Sequence, residues 1–230
     1  MSIFDSDNQK VVAKILRPKD AATLVLVRRD TDAPRVLMGR RHGNMAFMAN
    51  KYVFPGGRID PADQRLRVAS DLRPEVSRRT GVSETRARGL ALAAIRETFE
   101  ETGTLVGERA QTVPKTRAPA WKAFFAHGIM PRLDRLELIA RAITPPNRTR
   151  RFDARFFMAD ASAIAHQLDA SANEELLTPD WLTIAQARAL DLPGITRTVL
   201  GEVEARVAGE HDRPVPFFRF LRGETVVVHV

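Results

Sequence analysis

Short apolar runs, broken by charged turns and by Gly or Pro, recur along most of the chain. Ala22 to Val27 is such a run, ended by Arg28-Arg29-Asp30, and its length predicts a buried strand. After a turn at Asp30 to Pro34, Val36 to Gly39 predicts a second strand and, with the first, a hairpin. Tyr52-Val53-Phe54 is a third run, stopped by Pro55-Gly56-Gly57. Residues 61 to 84 are polar and carry Pro61, Pro74 and Gly81, which predicts an irregular or partly helical insertion. From Glu84 the spacing becomes helical. Leu90, Leu92, Ala93, Ala94, Ile95 and Phe99 form the apolar face, with Ser83 as N-cap and Gly103 just past the end. Ala118 to His127 predicts a short helix. Strands are expected at Leu136 to Ile143, Arg155 to Met158 and Trp181 to Thr183. Helices follow at Ile184 to Leu190 and Thr196 to Val207. Phe217 to Leu221 and Thr225 to Val230 flank a turn at Arg222-Gly223-Glu224, a second hairpin.

Strands and helices mix without regular alternation, which indicates an α+β fold over one continuous core. The 230 residues amount to about one and a half typical domains. No linker divides them, so one enlarged domain is expected across 1–230. Its core spans about 20–192, with insertions at about 64–88 and 108–132 and a helix and hairpin at about 195–230. Cysteine is absent, which excludes a disulfide framework, a thiolate zinc site and a cysteine nucleophile. No run reaches 18 apolar residues, and the acidic start, Met1 to Asp7, lacks the pattern of a secretory signal. The expectation is a soluble cytoplasmic protein with no membrane partner. Lys and Arg total 36 against 28 Asp and Glu, a net charge of +8, which favours anionic partners.

The chemistry concentrates in Arg96-Glu97-Thr98-Phe99-Glu100-Glu101-Thr102-Gly103. On a helix, Glu97, Glu100 and Glu101 share one face, where like charges are destabilising by a few tenths of a kcal/mol per pair. They also lie near the C-terminal end, where the helix dipole disfavours anions. Only Arg96 compensates locally. Three such carboxylates suit a hard dication, Mg²⁺ or Mn²⁺, although Glu-rich helix faces are more often simply solvated. Phe54-Pro55-Gly56-Gly57 adds a second signal, because a Gly pair after a strand lets backbone approach a ligand closely.

Gly57 together with Arg96 to Gly103 resembles an interrupted Nudix box, the signature G-x5-E-x7-R-E-U-x-E-E-x-G-U of Nudix hydrolases. The R-E-x-x-E-E-x-G half matches, although Thr98 and Thr104 replace bulky apolar residues. Gly57 and Arg96 stand 39 positions apart instead of 14, an insertion of 25 residues. Counting from Gly57 places Asp63 where the first Glu belongs, with Glu84 as the alternative. Thr144-Pro145-Pro146 followed by Arg151-Phe152-Asp153-Ala154-Arg155-Phe156-Phe157 is similar to a T-P…R-[FY]-D-T-x-F-F pattern. That pattern belongs to the branch of peroxisomal-type coenzyme A diphosphatases and their bacterial relatives. The ending Val228-His229-Val230 carries no peroxisomal signal.

The resemblance implies a Nudix fold, a mixed sheet sandwiched between helices, with helical insertions. It implies that Glu97, Glu100 and Glu101, with the Gly57 carbonyl, hold Mg²⁺ or Mn²⁺. The metal would neutralise a diphosphate and activate a water to attack phosphorus. Arg96 would orient a carboxylate, Asp63 or Glu97. The general base comes from Glu100 or Glu101, or from Glu174 or Glu175 in a late loop; solvated loop acids are the plainer reading of that pair, and Glu137 is a lesser candidate. Arg40, Arg41, Arg58, Arg151 and Arg155 are candidates to bind phosphate. Phe47, Tyr52 and Phe54 would stack on a base or pack in the core. The five histidines show no ligand spacing.

The implied activity is a metal-dependent pyrophosphatase acting on a small nucleoside-diphosphate-linked molecule. Coenzyme A or an acyl form comes first, then NADH, ADP-ribose or a nucleotide sugar. The competing class is a Nudix-fold module that binds RNA or nucleotide without hydrolysis. The retained carboxylate face and the lack of an RNA-recognition signature argue against it. Residues 132 to 155 hold seven Arg against three acids, a local +4 suited to a polyphosphate substrate. Relatives are often dimers, which leaves a homodimer open.

Overall fold

The computed structural model describes residues 16–45, 48–146, 148–168 and 176–230. The elements run β1 (Lys19–Arg28), β2 (Arg35–Arg41), β3 (Tyr52–Val53), β4 (Gly56–Arg58), α1 (Pro74–Arg79) and α2 (Glu84–Thr102). Next come β5 (Thr104–Val106), β6 (Glu108–Arg109), α3 (Pro119–Phe125), β7 (Ile129–Met130), β8 (Glu137–Ile143), β9 (Phe152–Asp160) and β10 (Ile164–Gln167). The chain continues through β11 (Leu176–Thr183), α4 (Ile184–Ala189), α5 (Gly194–Val207), β12 (Pro216–Leu221) and β13 (Glu224–His229).

The main sheet has the order β11-β2-β1-β9-β8-β12-β13, with β3 beside β2 and β4 beside β1. It is mixed: β1 runs parallel to β9 and β8 parallel to β12, while the other pairs are antiparallel. Because β1 and β9 are central, they are apolar on both sides, and alternate residues feed two separate cores. Ala22, Leu24, Leu26, Phe157 and Ala159 pack with α2 and α3 on one face. Val25, Val27, Phe156 and Met158 pack with Val199, Leu200 and Val203 of α5 on the other.

Helix α2 is buried nearly all round, from Leu90 through Arg96, because α1 and α3 cover the side that the sheet does not. Its end is set by Gly103, at φ 68°, whose N–H bonds the Phe99 carbonyl at 2.9 Å. Ser83 occupies the N-cap position with extended backbone but makes no side-chain capping bond. Thr98 and Thr104, polar where apolar residues were expected, are fully buried and satisfied. Thr98 donates to the Ala94 carbonyl (2.7 Å), and Thr104 to Gln167 Oε1 (2.7 Å).

The predicted elements all occur, most within three residues of their expected ends; β11 begins at Leu176, five residues before Trp181. The ladder extends β1 and β9 past the apolar runs, so β9 begins at Phe152 rather than Arg155. A strand β4 was not expected where Pro55-Gly56-Gly57 was to stop the third run, nor were the short strands β5, β6, β7 and β10. The latter form two small sheets, β5–β10 and β6–β7, outside the main one. No helix among the described residues is long and apolar enough to cross a membrane.

Candidate active site

The conjunction of α2 with the β4 edge is enforced by two glycines. A Cβ on Gly56 would stand 2.6 Å from the Ala22 carbonyl oxygen and 2.7 Å from Thr23 Cα. A Cβ on Gly57 would overlap the Glu97 carboxylate. Glycine at 56 is what allows β4 to lie this close to β1, while at 57 a Cβ would displace the Glu97 carboxylate. Glu101 is 2% exposed, and its Oε2 accepts a 2.9 Å bond from the Gly56 N–H.

Arg96 lies among the acids and is itself nearly buried. Its Nε and Nη2 donate to Oδ1 and Oδ2 of Asp63, both at 3.0 Å. Nη1 donates to Glu97 (2.7 Å) and Glu100 (2.8 Å), and Nη2 also to the Arg58 carbonyl (2.8 Å). Burial opposes the guanidinium charge, but the bond to Asp63 and the charges of Glu97 and Asp63 outweigh it. Arg96 is therefore held more firmly protonated than an ordinary arginine. Asp63 is fully buried and takes two further bonds, from Trp121 Nε1 (2.8 Å) and from the Asp60 N–H (2.7 Å). Position 63 thus meets Arg96 although 33 positions separate them.

A cavity of about 400 Å³ opens beside this cluster. Glu97, Gly56 and Gly57 line one part, and Val53, Phe54, Phe156 and Ile195 form apolar wall. Arg41, Lys51, Arg58, Arg148 and Arg150 also line it, as does the first turn of α5. Among the described residues, Arg41, Arg58 and Arg150 make no ion pair.

Several sequence-derived candidates stand elsewhere. Arg40 is exposed and does not line the cavity, whereas Arg41 does, because adjacent strand residues point to opposite faces. Arg155 is fully buried and does not reach the cavity. It pairs with Asp20 (3.0 Å) and Asp153 (3.1 Å) and bonds the Thr80 carbonyl (3.3 Å), so it ties the end of α1 to the sheet. Desolvation lowers its pKa below the usual arginine value. Arg151 bonds the Thr144 carbonyl (3.0 Å) and the Leu16 carbonyl (2.6 Å); its neighbours Arg148 and Arg150 line the cavity instead. The T-P…R-F-D pattern does two things: Thr144, Pro145, Phe152, Ala154 and Phe156 line the cavity, while Asp153 is gripped by Arg141 at 2.7 and 2.9 Å at the β8–β9 end. Glu137 lies on β8, 3.9 Å from Arg73, and does not line the cavity. Phe54 is core as well as cavity wall. Phe47, Glu174 and Glu175 lie outside the described residues. Two of the histidines, far apart in sequence, do meet: the His127 and His166 rings are 6.0 Å apart.

Sequence reasoning missed Trp121. Its signal was an indole N–H on the aromatic face of a short helix, a donor that must find an acceptor once buried.

No family model matches the chain, and no curated protein matches it. Among solved structures, a Nudix hydrolase from Alicyclobacillus acidocaldarius is 27% identical with a TM-score of 0.64, over 84% of this chain and 95% of that one. A Nudix domain of Shewanella oneidensis NrtR, complexed with ADP ribose, is 13% identical with a TM-score of 0.48, over 84% and 90%. A MutT Nudix hydrolase from Burkholderia pseudomallei is 19% identical with a TM-score of 0.46, over 82% and 99%. The likeness to the first of these extends over nearly its whole length. With its mixed sheet between α2 on one face and α5 on the other, the chain has the Nudix fold.

Proposed function

We propose that this protein is a metal-dependent Nudix diphosphohydrolase of one domain, residues 1–230, enlarged by its two insertions. It cleaves the diphosphate of a nucleoside-diphosphate-linked molecule. The observation that carries this reading is the Glu97 carboxylate set against Gly57 in the cavity lining, on the helix that also bears Glu100 and Glu101. The donors are all hard oxygens, which fits Mg²⁺ or Mn²⁺. Among the described residues no three His, Asp or Glu side chains converge as a finished cage, since Arg96 bridges Glu97 and Glu100. The close approach at Gly57, which any side chain would block, still fits an ion held by Glu97, Glu100, Glu101 and the Gly57 carbonyl. When bound, the ion supplies charge neutralisation and a water of lowered pKa.

The chain's own residues do the rest. Arg41, Arg58 and Arg150 draw in the phosphates, since no carboxylate among the described residues neutralises them. The apolar wall receives the non-phosphate part of the substrate. Glu100 or Glu101 serves as general base, with Glu174 and Glu175 as alternatives from the sequence. Coenzyme A or an acyl form is the leading substrate on the strength of the branch resemblance. The test is a product screen by mass spectrometry over coenzyme A, acyl-coenzyme A, NADH, ADP-ribose and nucleotide sugars. Release of 4′-phosphopantetheine from coenzyme A supports the branch. Turnover of another substrate alone reassigns it, and no turnover with any of them refutes the activity.

A further inference from the structure

Helix α3 lies in the second insertion, yet one of its side chains reaches the acid cluster. Trp121 is fully buried, and its indole N–H ends on Asp63 Oδ1. Asp63 spends both oxygens on Arg96, and the remaining Nη1 of Arg96 sits between Glu97 and Glu100. A continuous chain of hydrogen bonds therefore runs from the insertion to two carboxylates of α2. Resting on the metal-site reading above, we infer that Trp121 is a positioning residue that sets how strongly Glu97 and Glu100 hold the divalent ion.

The physical reason is competition. The Arg96 guanidinium bonds three carboxylates at once, and a metal must share Glu97 and Glu100 with it. Whatever fixes Asp63 fixes Arg96 on the Asp63 side. Without the indole donor, Asp63 keeps the Asp60 N–H and Arg96, and the guanidinium is freer to follow Glu97 and Glu100. The ion then meets a more tightly occupied pair. Trp121 is itself held by aromatic neighbours, Phe124 at 5.2 Å edge-on and Phe125 at 5.7 Å stacked, so its N–H has little freedom to turn away.

The test measures Mn²⁺ binding without substrate, from the electron paramagnetic resonance signal of free Mn²⁺, on the full chain. Trp121→Phe is expected to weaken binding severalfold, less than the roughly tenfold or more that follows loss of a ligand's direct partner, because Asp63 and Arg96 stand between the indole and the ligands. Phe125→Leu loosens the same aromatic cluster but leaves the indole N–H, and is expected to bind nearly as the unaltered protein does. Equal weakening in both variants, or none in Trp121→Phe, overturns the inference. In Asp63→Ala, which leaves the indole no acceptor, the Trp121→Phe change should add nothing further; full additivity overturns it too. If Trp121→Phe does not fold, the unaltered protein decides. It has two tryptophans, so the Trp121 indole N–H is readily followed by NMR during a Mg²⁺ titration. A shift that saturates with the ion supports the relay, and an unmoved resonance refutes it. An unaltered protein that binds no Mn²⁺ overturns the metal reading and this inference together, whereas normal Mn²⁺ binding in a folded Trp121→Phe overturns the inference alone.

Discussion

Replacing Arg96 with Met removes the cation and keeps most of the side-chain length. Asp63, fully buried, would lose two hydrogen bonds of 3.0 Å and its counter-charge together. The Trp121 and Asp60 N–H groups would still bond it, but neither carries charge. Breaking a buried pair in this way is destabilising by about 3–5 kcal/mol, mostly through the uncompensated charge. Glu97 and Glu100 add less, because their side chains, 16% and 39% exposed, can take up water. For a chain of this length the loss corresponds to a fall of about 6–20 °C in Tm. Adding Asp63→Asn should then restore part of it, since a neutral amide oxygen still accepts from Trp121 and no charge is stranded. Urea unfolding at pH 7 of the unaltered protein, both single variants and the double variant measures this. A loss under about 1 kcal/mol in Arg96→Met, or a double variant less stable than Arg96→Met, would refute the account of Arg96 as the partner of a buried carboxylate.

Other outcomes follow from single contacts. Glu100→Gln and Glu101→Gln should each lower kcat at least tenfold on whichever diphosphate substrate is turned over; normal turnover in either variant removes that residue from the site. Gly57→Ala should weaken Mn²⁺ binding with little change in Tm, because its Cβ meets only the movable end of Glu97, whereas Gly56→Ala presses on the backbone of β1 and should lower stability by about 1–3 kcal/mol. Calorimetry with Mn²⁺ titration separates the two, and reversed effects would refute the packing argument. Glu202 is also instructive: burial alone would raise its pKa, but hydrogen bonds from Arg213 and Arg206 bring it below the ordinary 4.5. A carboxyl with a depressed folded pKa contributes stability above its unfolded pKa, and that contribution fades as pH falls through the lower folded value. Glu202→Gln should therefore lose less stability than the unaltered protein between pH 5 and the acid limit, and parallel pH–stability curves would contradict this.

Much of this was legible in the residues themselves. Long apolar runs mark β1, β2, β8 and β9, because a strand buried on both sides needs them. The α2 acids were legible because their spacing is local to one helix. Legibility failed where a contact spans the chain. Arg155 and Arg41 look alike as letters, yet one is sealed in an ion pair with Asp20 and Asp153 and the other lines the cavity. Arg40 and Arg41 differ only in which face of β2 they occupy, and nothing local states which face meets the cavity. Strands of two to four residues, such as β6 and β10, carry too few alternations to show a period. Trp121 was opaque because its partner stands 58 positions away.

On the proposed reading of a split Nudix box, the tether between Asp63 and Arg96 accounts for such a long-range partner. In the uninterrupted pattern eight positions separate the first acid from the arginine; here Asp63 and Arg96 are 33 apart. Loop closure grows only as the logarithm of length, so the longer tether costs about 1.3 kcal/mol more. Asp is also one methylene shorter than the usual Glu, and a single charge-assisted hydrogen bond contributes about 1.5–3 kcal/mol. The bond from Trp121 is of that kind, a donor to an ionised and fully buried acceptor. It is large enough to offset the extra closure entropy, and it comes from the second insertion. On that reading the two proposed insertions are coupled: the first lengthens the path from Gly57 to Arg96, and the second, through Trp121, supplies a donor that holds its acid in place. Shortening the first insertion while keeping Asp63 in register should accordingly make Trp121→Phe less damaging to Mn²⁺ binding. Equal damage in the long and short forms would show that the indole serves packing alone.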